Sequence, residues 1–151
     1  MKKIIFVCTG NTCRSPIAEG IFNSMAKECA LDYRASSCGI SAVYGSAPSK
    51  NAVSAAAENG IDISKHKSSR LTADAANDAS LILTMTPSHK ETLKQAFPSA
   101  ADKIYTLPEY INNSTFTDVF DPFGGDMQIY RTCFNVLEIF IKELIEILEK
   151  Q

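Results

Sequence analysis

Apolar residues along the chain alternate between short continuous runs and runs with helical spacing. The run at Lys3–Cys8 is rich in β-branched residues and predicts a buried strand, as does the run at Ser80–Met85. Two further strands are predicted at Tyr33–Cys38, which Gly39 ends, and at Lys103–Leu107. The helical runs lie between or after them, at 16 to about 31, 49–59, 72–78, 87–97 and 126–150. No strong hairpin signal separates the strands. The pattern therefore predicts an α/β fold with a parallel sheet covered by helices on both faces.

Two of these helices have a clear apolar face. The first is expected to bury Ile17, Ile21, Met25 and Cys29, which recur every four residues. The last helix is expected to bury a longer face, which consists of Cys133, Leu137, Phe140, Leu144 and Leu148. Between the fourth strand and the last helix, Pro108 to Gly125 shows no period and is interpreted as a loop. Loops of this length in compact proteins are often functional.

Composition narrows the class of protein. A chain of 151 residues fits one domain, 1–151, and its net charge of −2 argues against a nucleic-acid partner. No apolar run is long enough to span a membrane, and the run after Lys2-Lys3 is too short for a secretory leader. These features favour a cytoplasmic protein without a membrane partner. The five cysteines are then expected to be free thiols, with Cys29, Cys38 and Cys133 as small buried side chains.

The other two cysteines lie in a turn-rich loop directly after the first strand. Its sequence is Cys8-Thr9-Gly10-Asn11-Thr12-Cys13-Arg14-Ser15. Successive N–H groups that lead into a helix can bind a phosphate-like anion. The same positive field favours the thiolate form of a cysteine placed there, and a thiolate is a nucleophile. An arginine at position 14 can bind two oxygens of the anion at once.

The remaining loop residues are expected to shape its backbone. Gly10 permits conformations that other residues resist, and Asn11 tolerates a left-handed conformation and can hydrogen-bond the loop. Ser15 either caps the following helix, donates its hydroxyl to Cys8, or does both in turn. Pro16 suits the first helical position.

This loop resembles the low-molecular-weight protein tyrosine phosphatase family, whose motif is Cys-x-x-Asn-x-Cys-Arg-Ser, and the resemblance covers essentially the whole chain. It implies a three-layer sandwich with a central four-stranded parallel sheet and the phosphatase loop between strand 1 and helix 1. It also implies a cysteine-dependent phosphatase with a phosphocysteine intermediate on Cys8. The phosphate-binding residues that it implies are Thr9, Gly10, Asn11, Thr12, Cys13, Arg14 and Ser15.

The family also carries an Asp-Pro pair late in the chain, and Asp121-Pro122 matches it. By resemblance, Asp121 protonates the leaving group and then activates water, and Phe123 forms an aromatic wall. Asp118 is expected to be structural or solvated. No metal or other cofactor is required, because Arg14 and the loop amides supply the charge stabilisation.

Two features point to a particular substrate. Tyrosine-directed members carry Ile or Leu where this chain has Thr12, and often have a second aromatic residue where Gly124 stands. Thr12 and the Gly124-Gly125 pair are similar to the bacterial protein arginine phosphatases of the family. A smaller, hydroxylated side chain leaves room for a planar guanidinium, which an apolar wall would leave without hydrogen bonds. We therefore expect phosphoarginine in proteins as the substrate, with phosphotyrosine as the alternative.

Several questions remain open at the level of sequence. The arginine-specific relatives have an aromatic wall where this chain places Ser41, and Tyr44 is a possible substitute. Cys13 either traps oxidised Cys8 as a disulfide or only packs beneath the loop. Arsenate reductases share the loop but need two further cysteines, and 81–89 contains none. A non-catalytic phosphate-binding module is a further alternative.

Three basic or titratable features are expected to lie at the surface without a catalytic role. The segment from Lys65 to Arg70 is interpreted as a solvated basic loop. His66 within it, and His89 after the third strand, are expected to be surface residues.

Overall fold

The computed structural model describes residues 1–151. The strands are β1 (Lys2–Cys8), β2 (Tyr33–Gly39), β3 (Leu81–Thr84) and β4 (Ile104–Thr106). The helices are α1 (Arg14–Glu28), α2 (Lys50–Ala57), α3 (Ala73–Asp78), α4 (Pro87–Ala96), α5 (Leu107–Tyr110) and α6 (Met127–Glu149). A short 3-10 helix at Pro98–Lys103 connects α4 to β4.

The four strands form one sheet in the order β2-β1-β3-β4, and every neighbouring pair is parallel. The register places Cys8 opposite Gly39, at the carboxyl ends of β1 and β2. Ligands bind beyond the carboxyl ends of strands in such sheets. The predicted fold is confirmed, and the Cys8 loop begins at this edge.

Helices cover both faces of the sheet. Ile4 and Phe6 of β1 point into the larger apolar cluster, which they share with α1, α2 and α6. Ile5 and Val7 point to the other face and pack in a smaller cluster with α3 and α4. Within 1–151, no helix combines the length and the apolar character needed to cross a membrane.

The apolar face of α1 differs from the prediction. Ile17 and Ile21 are fully buried, but Cys29 is exposed, and the buried face continues through Phe22 and Ala26. A spacing of four residues advances about 400° around a helix, so each step drifts about 40° from the starting direction. After three steps from Ile17 the side chain of Cys29 has left the core face. The prediction that Cys29 is buried is therefore wrong, whereas Cys38 and Cys133 are buried as expected.

The predicted loop after β4 begins with the short helix α5. The hydroxyl of Thr106 accepts a hydrogen bond from the backbone N–H of Glu109 at 3.1 Å, and the Glu109 carboxylate accepts one from the Thr106 N–H at 3.1 Å. This reciprocal pair is a capping box, and its Thr-x-x-Glu pattern was present in the sequence. The remainder, 111–126, has no regular helix or strand.

Candidate active site

A pocket of about 240 Å³ lies where the β1–α1 loop meets the segment before α6. Its walls are formed by Cys8, Thr9, Gly10, Thr12, Cys13, Arg14, Asp121 and Phe123. The structure thus brings the predicted nucleophile, arginine and carboxylate into one pocket. Asn11 and Ser15, which were also predicted site residues, are fully buried and do not line the pocket.

The start of α1 differs from the prediction. The helix begins at Arg14 with Cys13 at the N-cap position, so Ser15 and Pro16 are already inside its first turn. Ser15 does not cap the helix. Its hydroxyl oxygen lies 2.8 Å from the sulfur of Cys8 instead, which agrees with the other predicted role. A hydroxyl at this distance can stabilise a thiolate or the sulfur that departs from phosphorus.

Asn11 determines the shape of the loop. It is fully buried and has a φ of 58°, a left-handed conformation that Asn tolerates better than most residues. Its side-chain nitrogen donates to the hydroxyls of Ser15 at 2.8 Å and Ser37 at 3.0 Å. Its side-chain oxygen accepts from the N–H of Ser69 at 3.0 Å. These bonds fix the loop before any anion binds.

His66 also contacts this loop, which corrects its placement at the surface. Its Nε2 lies 3.1 Å from the backbone oxygen of Asn11 and 3.2 Å from its side-chain oxygen. In the same segment, Arg70 donates to the backbone oxygen of Ala42 at 2.8 Å. The interpretation of 65–70 as a solvated loop is therefore wrong for His66, which is half-buried, whereas Arg70 is exposed as expected. Neither contact has a periodic signal in the sequence.

A side chain would not fit at Gly39, whereas it would fit at Gly10. Gly10 does not have a positive φ, and a Cβ there would meet only the Thr12 hydroxyl at an ordinary 3.6 Å. A Cβ on Gly39 would lie 2.6 Å from the backbone oxygen of Thr9 and 2.9 Å from the backbone nitrogen of Asn11. The expected requirement at Gly10 is therefore wrong, and the close approach is made by the end of β2.

Arg14 connects the loop to the segment that carries Asp121. Its Nη1 donates to the backbone oxygen of Val119 at 3.0 Å, and its Nη2 lies 3.7 Å from Oδ2 of Asp121. The Arg14 side chain is 5% exposed and that of Asp121 is 54% exposed. The other carboxylate oxygen of Asp121 accepts from the N–H of Phe123 at 3.1 Å, which orients the carboxyl group. Asp118 is exposed, in agreement with its expected solvated role.

A second set of contacts holds the Thr12–Cys13 segment. The N–H of Ser49 donates to the backbone oxygen of Thr12 at 3.0 Å. The sulfur of Cys13 lies 3.1 Å from the Ser49 hydroxyl and 3.4 Å from the hydroxyl of Tyr130. Burial and the hydrogen bond with Cys13 raise the pKa of Tyr130 to about 12, so it is a neutral phenol. Ser49, at the N-cap of α2, and Tyr130, in α6, were not predicted as site residues.

The mouth of the pocket is open on the side of Phe123, whose ring is 75% exposed. Ser41 and Tyr44 are both exposed and do not line the pocket. The N–H of Ser41 instead donates to the backbone oxygen of Thr9 at 3.0 Å. The structure therefore gives the pocket one aromatic wall, formed by Phe123.

His89 is the second histidine whose placement is corrected. It is 8% exposed, and its Nε2 lies 2.9 Å from the hydroxyl oxygen of Thr9. Burial and, to a smaller extent, the Arg14 charge lower the pKa of His89 to about 4, although the Asp121 carboxylate partly offsets these effects. The ring is therefore neutral at neutral pH and lies close enough to the pocket to respond to both charges.

The pocket brings together a thiol, a row of N–H groups, a buried guanidinium and a half-exposed carboxylate. Together these groups can perform covalent phosphoryl transfer. No group of three or more His, Cys, Asp or Glu side chains is placed to hold a metal ion. All five cysteines are free thiols.

Comparison with known proteins agrees with this chemistry. Residues 3–151 match the low molecular weight phosphotyrosine protein phosphatase family. The chain is 42% identical over 147 residues to a protein-arginine-phosphatase of Bacillus subtilis, with 97% of each chain covered. It is 38% identical over 145 residues to the low molecular weight protein-tyrosine-phosphatase PtpB of Staphylococcus haemolyticus, with 94% of this chain and 96% of PtpB covered.

A solved structure shows the same architecture. It is a mutant of the arginine phosphatase YwlE that carries a phosphorylated active-site serine. The TM-score is 0.95 at 40% identity, and the match covers 99% of this chain and 97% of that one. The chain described here therefore belongs to the low molecular weight phosphotyrosine protein phosphatase family.

Proposed function

We propose that the protein removes phosphate from phosphoarginine in other proteins. The observation that carries this proposal is Thr12, a short hydroxylated side chain in the pocket wall between the nucleophile loop and Asp121. A branched aliphatic residue there would present methyl groups to a substrate that is charged and rich in hydrogen-bond donors. Each unsatisfied donor would cost about 1–3 kcal/mol. The relationship to a protein-arginine-phosphatase at 42% identity supports the same substrate.

The reaction proceeds in two steps. In the first, the Cys8 thiolate attacks phosphorus, an S–P bond forms, the P–N bond breaks, and Asp121 gives its proton to the departing guanidinium nitrogen. Arg14 and the N–H groups of 9–15 hold the phosphoryl oxygens. In the second, Asp121 takes a proton from water as the water oxygen attacks phosphorus. Phosphate leaves, and Cys8 returns to the thiolate, which the Ser15 hydroxyl stabilises at 2.8 Å.

Phosphotyrosine is the second candidate substrate, and the exposed ring of Phe123 is compatible with it. An aromatic face at the pocket mouth can stack on a phenyl ring as well as on a guanidinium plane. The relationship to PtpB at 38% identity supports the same alternative.

The test is the turnover of two peptides with the same sequence, one with phosphoarginine and one with phosphotyrosine. We expect a higher kcat/KM for phosphoarginine, and faster turnover of phosphotyrosine would reject the first candidate. Thr12→Ile should shift the ratio of the two kcat/KM values toward phosphotyrosine by about tenfold, which corresponds to one lost hydrogen bond of about 1.4 kcal/mol. Thr12→Ser keeps the hydroxyl and is the matched control. An unchanged ratio in Thr12→Ile would show that Thr12 does not select the substrate.

A non-catalytic phosphate-binding module and an arsenate reductase are distinguished by simpler experiments. Cys8→Ser should abolish phosphate release while the variant still binds a phosphopeptide. Wild-type protein that binds the phosphopeptide without releasing phosphate would support the binding module. Reduction of arsenate by the wild-type protein would support the reductase, although the segment from β3 to His89 supplies no cysteine for that electron relay.

We also propose the domain, the cellular compartment and the partners of this activity. We place it in one phosphatase domain, 1–151, because one sheet organises the chain and the family match extends over 3–151. We place it in the cytoplasm, since five free thiols suit a reducing compartment. The partners are phosphorylated proteins.

A further inference from the structure

His89 reaches the nucleophile loop from the opposite layer of the sandwich. It lies in the first turn of α4, a helix that packs Leu93 into the smaller apolar cluster. Its Nε2 is 2.9 Å from the hydroxyl oxygen of Thr9, the residue directly after the nucleophile. Thr9 is exposed and lines the pocket, whereas His89 is buried.

The second ring nitrogen reveals which tautomer is present. Nδ1 of His89 is buried and has no hydrogen-bond partner. A buried N–H without an acceptor is more costly than an unused lone pair, so the single proton of the neutral ring belongs on Nε2. The ring then donates to Thr9, and the Thr9 oxygen acts as the acceptor. The hydroxyl hydrogen of Thr9 is consequently free to point elsewhere.

We propose that His89 is a positioning residue that turns the hydroxyl hydrogen of Thr9 into the pocket, where it donates to an oxygen of the bound phosphoryl group. No proton is transferred in this step. Because the Thr9 hydroxyl is already oriented, it loses no rotational freedom when the anion binds. Its dipole also faces the phosphoryl group before the negative charge redistributes in the transition state. The inference rests on the proposed phosphatase activity, but not on whether the substrate is phosphoarginine or phosphotyrosine.

The experiment measures kcat and KM with para-nitrophenyl phosphate, a substrate that tests neither amino-acid preference. We expect Thr9→Val and His89→Leu each to lower kcat by about tenfold, with a smaller change in KM. His89→Gln can place an amide N–H near the position of Nε2 and should restore most of kcat. The double variant Thr9→Val/His89→Leu should be no slower than Thr9→Val, since His89 acts only through Thr9. Ser88→Ala, exposed on the same helical turn, is the matched control and should be unaffected.

Other results would overturn the inference. One is a wild-type kcat in His89→Leu, and another is an equal loss of kcat in His89→Gln and His89→Leu. The third is a double variant whose loss of kcat is the product of the losses in the two single variants. If His89→Leu does not fold, ¹⁵N shifts of the His89 ring in the wild-type protein decide, and a protonated Nδ1 at pH 7 contradicts the proposal. A wild-type protein that releases no phosphate from any substrate would instead overturn the proposed function.

Discussion

The guanidinium of Arg14 lies 3.7 Å from the carboxylate of Asp121, and the two side chains differ sharply in their exposure to solvent. Arg14 is fixed in the protein interior, whereas Asp121 is half exposed and can face a leaving group or a water molecule. An ion pair with one exposed partner contributes little to stability. The pairing therefore positions a carboxylate at the pocket, and its loss should affect catalysis far more than folding.

Asp121→Asn tests this directly. We expect kcat with a phosphoarginine peptide to fall by about 10²- to 10⁴-fold, because the amide cannot donate the proton that the leaving nitrogen needs. The amide oxygen can still accept from the N–H of Phe123, so the local backbone should be preserved. Asp118→Asn, in the same loop and also exposed, is the matched control. Equal activity in the two variants would exclude Asp121 as the general acid.

Asn11→Ala should destabilise the fold strongly. The variant places alanine in a left-handed conformation, which costs about 1–2 kcal/mol. It also removes the hydrogen bonds of the Asn11 side chain to the hydroxyls of Ser15 and Ser37, and leaves the half-buried N–H of Ser69 without its acceptor. We expect the free energy of unfolding in urea to fall by about 3 kcal/mol or more. Asn112→Ala is the matched control, because Asn112 has the same φ of 58° but is exposed. If both variants lose the same stability, the buried hydrogen bonds of Asn11 contribute nothing.

Alkylation should separate the cysteines by their surroundings. Burial raises the pKa of Cys38 and of Cys133 to about 12, so both should resist iodoacetamide in the folded protein at pH 8. Cys29 is exposed and should react, and Cys8 should react through the pocket unless inorganic phosphate fills it. Peptide mass spectrometry after brief labelling gives the result, and labelling in urea is the control in which all cysteines react. Rapid modification of Cys38 in the native protein would contradict the buried placement.

Cys13 as a redox partner of Cys8 stays a prediction. Peroxide oxidises a thiolate to a sulfenic acid, which can condense with a second thiol to give a disulfide and water. Both cysteines line the pocket. We expect a thiol reductant to restore the activity of the peroxide-treated wild type but not of Cys13→Ser. Equal recovery of both proteins would leave Cys13 only its packing role against Ser49 and Tyr130.

His89 should make stability depend on pH. Its pKa is about 4 in the folded protein and 6.5 when unperturbed, so the unfolded chain binds a proton first as the pH falls. The stabilisation is complete above pH 6.5 and is lost as the pH falls toward 4. At pH 5 the loss is about 1–2 kcal/mol. Chemical unfolding of the wild type and His89→Gln from pH 7 to pH 4.5 should give a smaller loss in the variant; parallel curves would contradict the shift.

The sequence predicted the elements whose side chains follow a regular apolar pattern. Short apolar runs located strands that are buried on both faces, and the recurrence of apolar residues at helical spacing located the long helix α6. The spacing of Cys8 and Arg14 after a buried strand indicated the anion loop. Asp121 was identified only through the family motif, since nothing local in its sequence connects it to Cys8.

The contacts that support the loop could not be predicted in this way. His89, Ser49 and Tyr130 each come from a different helix or its cap and meet the loop as single side chains. A single side chain leaves no period, and its partner depends on how distant elements pack. The predicted burial of Cys29 was wrong for the opposite reason. It extended a regular spacing of four residues further along the helix than helix geometry allows.

Gly39 shows that the nucleophile loop and the end of β2 are one mechanical unit. The loop backbone occupies the space where any other residue would carry its Cβ, so a side chain at position 39 would displace the N–H groups around the anion. A mutational survey scored on phosphate release would rank Gly39 beside Cys8 and Arg14, although it carries no reactive atom. Variants at this position should be interpreted as changes in loop geometry and used to separate the shape of the anion cradle from its chemistry.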